Sequence, residues 1–201
     1  LDALPQNDVY LMLQVKGGSI PAFAELHGRY QEKLLGYFFG LSGSSATAND
    51  LTQETFLRVW QVRKRYRATG TFPGYLFAIA RLIWQEHQRR ESKVWRLGSA
   101  TPFEEATLAA PSLASSPGRC AEREELQERL LGALAQLPEE QRQVFLMRHV
   151  RGLSLQDIAE AMDCPVNTVR SRKILAIKKL RHLLAPYVEA NARTGGEGVV
   201  S

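Results

Sequence analysis

Between Leu153 and Arg181 the chain reads LSLQDIAEAMDCPVNTVRSRKILAIKKLR, and few folds accept such a stretch. Ser154 is placed to cap a short helix in which Leu155, Ile158, Ala159 and Met162 recur at helical spacing, with Gln156, Asp157 and Glu160 on the opposite face. Asp163-Cys164-Pro165 should end it, because Asp tolerates left-handed backbone and Pro165 drives Cys164 out of the helical region. Asn167 or Thr168 then caps a second helix whose Val169, Ala176, Leu180 and Leu184 form one apolar stripe. Two helices joined by a tight turn make a helix-turn-helix. From Cys164 to Arg181 there are six basic residues, Arg170, Arg172, Lys173, Lys178, Lys179 and Arg181, and no acidic one. A basic run on a helix is most often a solvated face. Here the charges begin in the first turn of the second helix, where a docked helix-turn-helix places its base-contacting side chains, and phosphates neutralised there would release counterions.

The rest of the chain is arranged in two basic blocks. Residues 1–93 hold 12 Lys/Arg against 8 Asp/Glu and residues 123–187 hold 11 against 8, while 94–122 and 188–201 are each net negative by one. The 201 residues suffice for two small cores. Cys120 and Cys164 fit no metal-ligand spacing, so reduced thiols in a reducing cytoplasm are expected, with no metal and no cofactor. No apolar run approaches the roughly 18 residues of a membrane span, and the N-terminus lacks the pattern of a signal peptide.

Periodicity along the first block predicts an all-α domain. Asp8 is placed to cap a helix over Val9–Val15 that ends at Gly17-Gly18, and Ser19 and Pro21 open a longer one with Phe23, Leu26, Tyr30, Leu34 and Phe38 in the core. A loop is expected over Gly40–Ser45. The helix from Ala48 to Trp60 turns Leu51, Thr55, Phe56 and Val59 inward and shows Asp50, Gln53, Glu54 and Leu57 on the opposite arc. A leucine among carboxylates on an exposed arc suggests a contact surface; a solvated helix with one stray Leu is the plainer alternative.

A basic segment follows, RKRYR at Arg63–Arg67, then a loop over Ala68–Pro73 and a helix from Gly74 to Arg90. Leu76, Ile79, Ala80 and Ile83 face the core, with Arg81, Gln85, Gln88 and Arg89 outside and Leu82 beside them. Charge together with Tyr66, Tyr75 and Trp84 can hold single-stranded nucleic acid by stacking, although a core position is the better account of Trp84. Residues from Ser92 to about Arg119 have no period and contain Pro102, Pro111 and Pro117, as an irregular linker would. Helices resume with Ala121–Leu137 and Glu139–Val150, where Val144, Phe145 and Met147 are expected core, and 188–201 is expected to be disordered. The fold class is therefore all-α: a helical domain over 1–93, a linker over 94–122, a helix-turn-helix domain over 123–187 and a tail.

DLTQETFLRVW at Asp50–Trp60, GTFPGYLFAIAR at Gly70–Arg81, LPEEQRQVFLMRHVRGLSLQDIAEAM at Leu137–Met162 and TVRSR at Thr168–Arg172, in that order and spacing, resemble the extracytoplasmic-function (ECF) sigma factors of bacterial RNA polymerase. The resemblance covers most of the chain. It implies that Asp50, Gln53, Glu54 and Leu57 grip the polymerase core. It implies that Arg67, Thr69 and Thr71 in the loop, with Arg81, Gln85, Gln88 and Arg89, capture an unpaired base of the minus-ten promoter element and hold the melted strand. Asn167, Thr168, Arg170, Ser171, Arg172, Ile174 and Lys178 would read the minus-thirty-five element in the major groove. The linker would thread the polymerase's channels, and an anti-sigma factor would hold the protein inactive. Leu82 stands where the family often has a polar residue, Ile174 and Leu175 where histidine and arginine are frequent, and Lys173 on a stripe usually apolar.

No Gly-rich phosphate loop, HExxH or nucleophile motif is present, so the chain reads as a non-enzyme. Two other readings compete. A ligand-sensing regulator that binds an operator as a dimer would have no use for the Asp50–Trp60 motif. A sigma-like decoy that binds only an anti-sigma protein would have little use for a basic recognition helix.

Overall fold

The computed structural model describes residues 7–96, 117–150 and 152–194. All of its regular structure is helical. Helix α1 (Asp8–Lys16), α2 (Ile20–Ser42), α3 (Ser45–Val62), a 3-10 turn (Arg63–Arg65) and α4 (Phe72–Arg96) make the first domain. Helix α5 (Pro117–Ala135), α6 (Glu139–Phe145) running into a π-helical turn (Leu146–Val150), α7 (Leu155–Met162) and α8 (Val166–Thr194) make the second.

The first core is rich in aromatics. Tyr37, Phe38, Phe72 and Phe77 are fully buried with Leu26, Leu34, Leu76 and Ile83, and Tyr37 meets Phe77 edge-on with ring centroids 5.4 Å apart. In the second core the buried Val169, Ala176 and Leu180 of α8 meet Ile158, Ala159 and Met162 of α7 and Val144 of α6, which is the stripe the sequence predicts. The two cores are continuous. Leu146 of the π-helical turn packs on Gly40 of α2 so closely that a Cβ there would stand 2.4 Å from Leu146 Cδ2. Helix α7 lies along α4.

Several local expectations are corrected. Asn7, not Asp8, caps α1, its side chain accepting from Val9 N at 3.0 Å. Asp8 is drawn instead to Arg29, 2.5 Å away, and to the Tyr30 hydroxyl, partners more than 20 residues distant that no local pattern reveals. Gly40 lies inside α2, and the turn is made by Gly43, at φ 69°, and Ser44, which caps α3. Thr71 is the cap of α4, its hydroxyl accepting from Gly74 N at 3.1 Å, so Phe72 and Pro73 belong to the first helical turn, where a missing proline N–H costs nothing. Helix α4 continues to Arg96 and α5 begins at Pro117; the remainder of the expected linker, 97–116, lies outside the described residues. The first part of the tail is helical to Thr194, α8 running on through Pro186; residues 195–201 also lie outside the description.

The buried phenols carry a pH dependence. Burial pushes the Tyr37 hydroxyl far above the usual phenol range, the Glu139 carboxylate adding to the effect while Arg81 and Arg142 oppose it. Burial and the Asp8 hydrogen bond do the same to Tyr30. Both stay neutral in the fold but ionise in the unfolded chain near pH ~10. Their stabilising effect is therefore complete below pH ~10 and is lost as pH climbs above it. Urea titrations at pH 9 and 11 should show a fall in stability, shallower in Tyr37→Phe; an unchanged slope in that variant would remove Tyr37 from the account.

Candidate polymerase and nucleic-acid interfaces

On α3, Leu51, Thr52, Thr55, Phe56 and Val59 are buried, and Asp50, Gln53 and Leu57 are exposed, Leu57 to 60%. The exposed arc is the predicted one, with one change. Glu54 is half-buried in an ion-pair network, 3.2 Å from Arg90 of α4 and 3.7 Å from Arg58, while Glu86 links the same two arginines at 3.2 and 3.7 Å. Glu54 thus ties α3 to α4 and contributes less free charge than Asp50.

Between the 3-10 turn and α4, residues Tyr66, Arg67, Thr69, Gly70, Thr71, Gly74, Tyr75 and Ala78 line a cavity of about 350 Å3. Arg67 and Thr69 are exposed. Of the three aromatics near the loop, Trp84 is buried, as its expected core position requires; Tyr66 is buried too, and only Tyr75 is part-exposed. Tyr66 is wedged edge-on against Tyr75 with centroids 4.9 Å apart, and Lys16 Nζ donates to its carbonyl at 2.9 Å. Trp84 Nε1 donates to Glu139 of α6 at 2.6 Å. Arg81 on the preceding turn is half-buried, Gln85 and Gln88 are part-exposed and Arg89 is exposed. The outer face of α4 therefore carries the predicted amide and guanidinium groups, with Leu82 54% exposed among them.

The second domain adds one residue to the cavity wall. Glu160 of α7 joins its lining and accepts from Thr71 N at 3.2 Å, and the Thr71 hydroxyl donates to Asp157. Sequence periodicity puts Asp157 on a polar outer face; in the structure it is buried, closing a capping box with Ser154 (2.9 and 3.0 Å) while it binds Thr71.

Helix α8 begins at Val166, directly after Pro165, so neither Asn167 nor Thr168 is its cap; both lie in the first turn. Asn167, Arg170, Ser171, Ile174, Leu175 and Lys178 are exposed, Ile174 to 57% and Leu175 to 50%. Ser171 Oγ donates back to the Asn167 carbonyl at 3.0 Å. Arg172 is less free: its guanidinium bonds the Glu140 carboxylate of α6 and lies 3.5 Å from Cys164 Sγ. Lys173 is half-buried beside His149, whose imidazole is held below its usual range by burial, then by Lys173 and Arg148. No group of three or more potential metal ligands occurs among the described residues, and none of their helices is long and apolar enough to cross a membrane.

The family model "Sigma-70 region 2" matches residues 26–94, and "Sigma-70, region 4" matches residues 127–180. The RNA polymerase sigma-H factor of Pseudomonas aeruginosa is 31% identical over 187 residues, covering 91% of this chain and 96% of that one. This chain belongs to the ECF group of the sigma-70 family. The ECF RNA polymerase sigma-E factor of Salmonella typhimurium is 30% identical over 188 residues, or 90% and 96% of the two chains. Among solved structures, CnrH in complex with the cytosolic domain of CnrY has the same fold, with a TM-score of 0.69 at 22% identity over 90% of this sigma factor and 99% of that chain. So does the sigma factor RpoE of Bartonella quintana, bound to the anti-sigma factor NepR, with a TM-score of 0.67 at 22% identity over 83% and 98%. In this sigma factor α2–α4 hold region 2, and α5–α8 hold region 4. Sigma factors are transcription initiation factors and not enzymes, and the N-terminal half of this chain, where an operator-binding regulator would carry its ligand sensor, matches sigma-70 region 2.

Proposed function

We propose that this sigma factor binds core RNA polymerase through Asp50, Gln53 and Leu57 of α3, with Glu54 as an anchored fourth member. It then holds the melted minus-ten strand on the Arg67–Thr71 loop and the Arg81–Arg89 face of α4. Region 4 reads the minus-thirty-five element with the first turns of α8, through Asn167, Thr168, Arg170, Ser171, Arg172, Ile174 and Lys178. Support comes from one observation above all: two family motifs present exposed side chains on separate helices, each backed by a buried stripe that fixes its direction. Partner chemistry agrees with this, since a carboxylate-and-leucine arc suits a basic protein surface and a basic, acid-free helix start suits duplex DNA.

Two of the solved relatives are held by partner proteins, and we extend to this chain an anti-sigma factor that keeps it inactive in the cytoplasm until a signal arrives. No cofactor enters the scheme. Run-off transcription with core polymerase on genomic promoter fragments tests the reading: the full chain should add discrete transcripts that core alone does not make. Stable binding of an anti-sigma protein without any such transcript would favour a decoy instead.

A further inference from the structure

The cavity at the start of α4 is an anion site in its chemistry. It is formed at the N-terminus of a 25-residue helix, whose dipole favours negative charge there, with the Thr71 N–H directed at the carboxylate that fills it. The Tyr66 hydroxyl, on a side chain only 2% exposed in the lining of that cavity, has no hydrogen-bond partner among the described residues. Two carboxylates of the chain's own second domain already occupy the anion position: Glu160 on the Thr71 N–H at 3.2 Å, and Asp157 on the Thr71 hydroxyl. The carboxylate lies close against two glycines, since a Cβ on Gly70 would stand 2.4 Å from Glu160 Oε2 and one on Gly74 would stand 2.7 Å from it. A second tie lies farther along the same helix, where Glu139 of α6 takes the Trp84 N–H at 2.6 Å beside the half-buried Arg81.

We propose that α7 is an intramolecular lock: Glu160 and Asp157 occupy the place of a nucleic-acid phosphate at the loop Tyr66–Gly74, so that docking of region 4 on α4 and binding of a single strand to this loop exclude one another. The inference rests on the reading of the loop as a single-strand site. The free chain is then self-inhibited in region 2, and whatever draws region 4 away, such as duplex DNA on α8 or the polymerase surface, exposes the loop as well. Helix α7 serves both sides of this exchange, because Asp157, which closes the capping box at the start of the helix-turn-helix, also holds the loop.

Glu160 is exposed and caps nothing, so Glu160→Ala should leave the fold intact and loosen only the lock. Binding of a fluorescent mixed-sequence single-stranded 12-mer is to be titrated on the full-length protein, with hydrogen exchange followed in the segment containing Thr71. Glu160→Ala should bind the strand about tenfold more tightly and exchange the Thr71 amide faster, and Arg67→Glu in the same chain should cancel the gain in affinity. Glu128→Ala, which removes an exposed carboxylate of α5, controls for charge alone. Equal gains in the Glu160 and Glu128 variants, or no gain in either while Arg67→Glu still weakens binding, would overturn the lock and leave the loop reading standing. Indifference of binding to Arg67→Glu in both backgrounds would overturn the loop reading and the lock together.

Discussion

The double substitution Asp50→Arg and Leu57→Asp is expected to lower affinity for core RNA polymerase by about 100-fold or more, roughly 3 kcal/mol, with the protein still folded. Both side chains stand on the exposed arc of α3, and nothing in the core leans on either. Leu57 is 60% exposed, and covering such a side chain at an interface contributes up to about 1.5–3 kcal/mol, which an aspartate would forfeit. Reversing Asp50 replaces attraction with repulsion against a basic partner. Glu54 is the wrong choice for this experiment although it belongs to the same motif. It sits between Arg58 and Arg90, so an arginine there would bring three positive charges together and disturb the α3–α4 packing before any partner arrives. Thermal melts of wild type and variant should coincide within about 0.5 kcal/mol of stability, as surface substitutions usually do. A folded variant that still captures core polymerase at wild-type strength would remove α3 from the interface.

What local pattern governs could be read from the sequence, and what tertiary partners govern could not. The inward arc of α3, the Val169, Ala176 and Leu180 stripe of α8 and the Ser154 cap follow from spacing alone, because burial on one helical face repeats every three or four residues. The same logic misplaces Asp157. Its helical angle puts it outside, and only the arrival of Thr71, 86 residues earlier in the chain, makes it a buried acceptor. Tyr66 shows the converse case, and Trp84 shows it in part. Both sit in segments whose charge suggests nucleic acid; the core position expected for Trp84 holds, but its cover comes from Glu139 of the second domain, and Tyr66 is packed edge-on against Tyr75. A single sequence does not show which of its own helices will cover an aromatic. The start of α8 departs from its local pattern for a different reason: Pro165 with its fixed φ suffices to open the helix, and the polar residues behind it lie in its first turn.

That placement bears on how α8 meets DNA, where Arg170 and Arg172 are expected to behave differently. Taking Val169 as the centre of the buried stripe, Arg170 lies about 100° round the helix, Ser171 about 200° and Arg172 about 300°, so the arginines flank the groove-facing centre from opposite sides. Arg170 is exposed and can reach a base edge. Arg172 is drawn back by Glu140 and Cys164, its charge already partly neutralised and its position set by α6. Arg170→Ala should therefore cost roughly 1–3 kcal/mol and relax the preference at one base pair of the minus-thirty-five element. Arg172→Ala should weaken all sequences alike, and because Glu140 shares its charge, the salt dependence should flatten by less than about one unit of slope. Glu140→Gln should act in the opposite direction, freeing the guanidinium and steepening the salt dependence while leaving base preference unchanged. Ile174 and Leu175, exposed on the same helix, can meet thymine methyl groups, which predicts tolerance of T in place of the polar readout common in the family. Titrations of the three variants against single-base promoter changes at several salt concentrations decide the assignment. Equal, sequence-blind losses for both arginines would make Arg170 a backbone contact, and no loss for either would take α8 off the DNA.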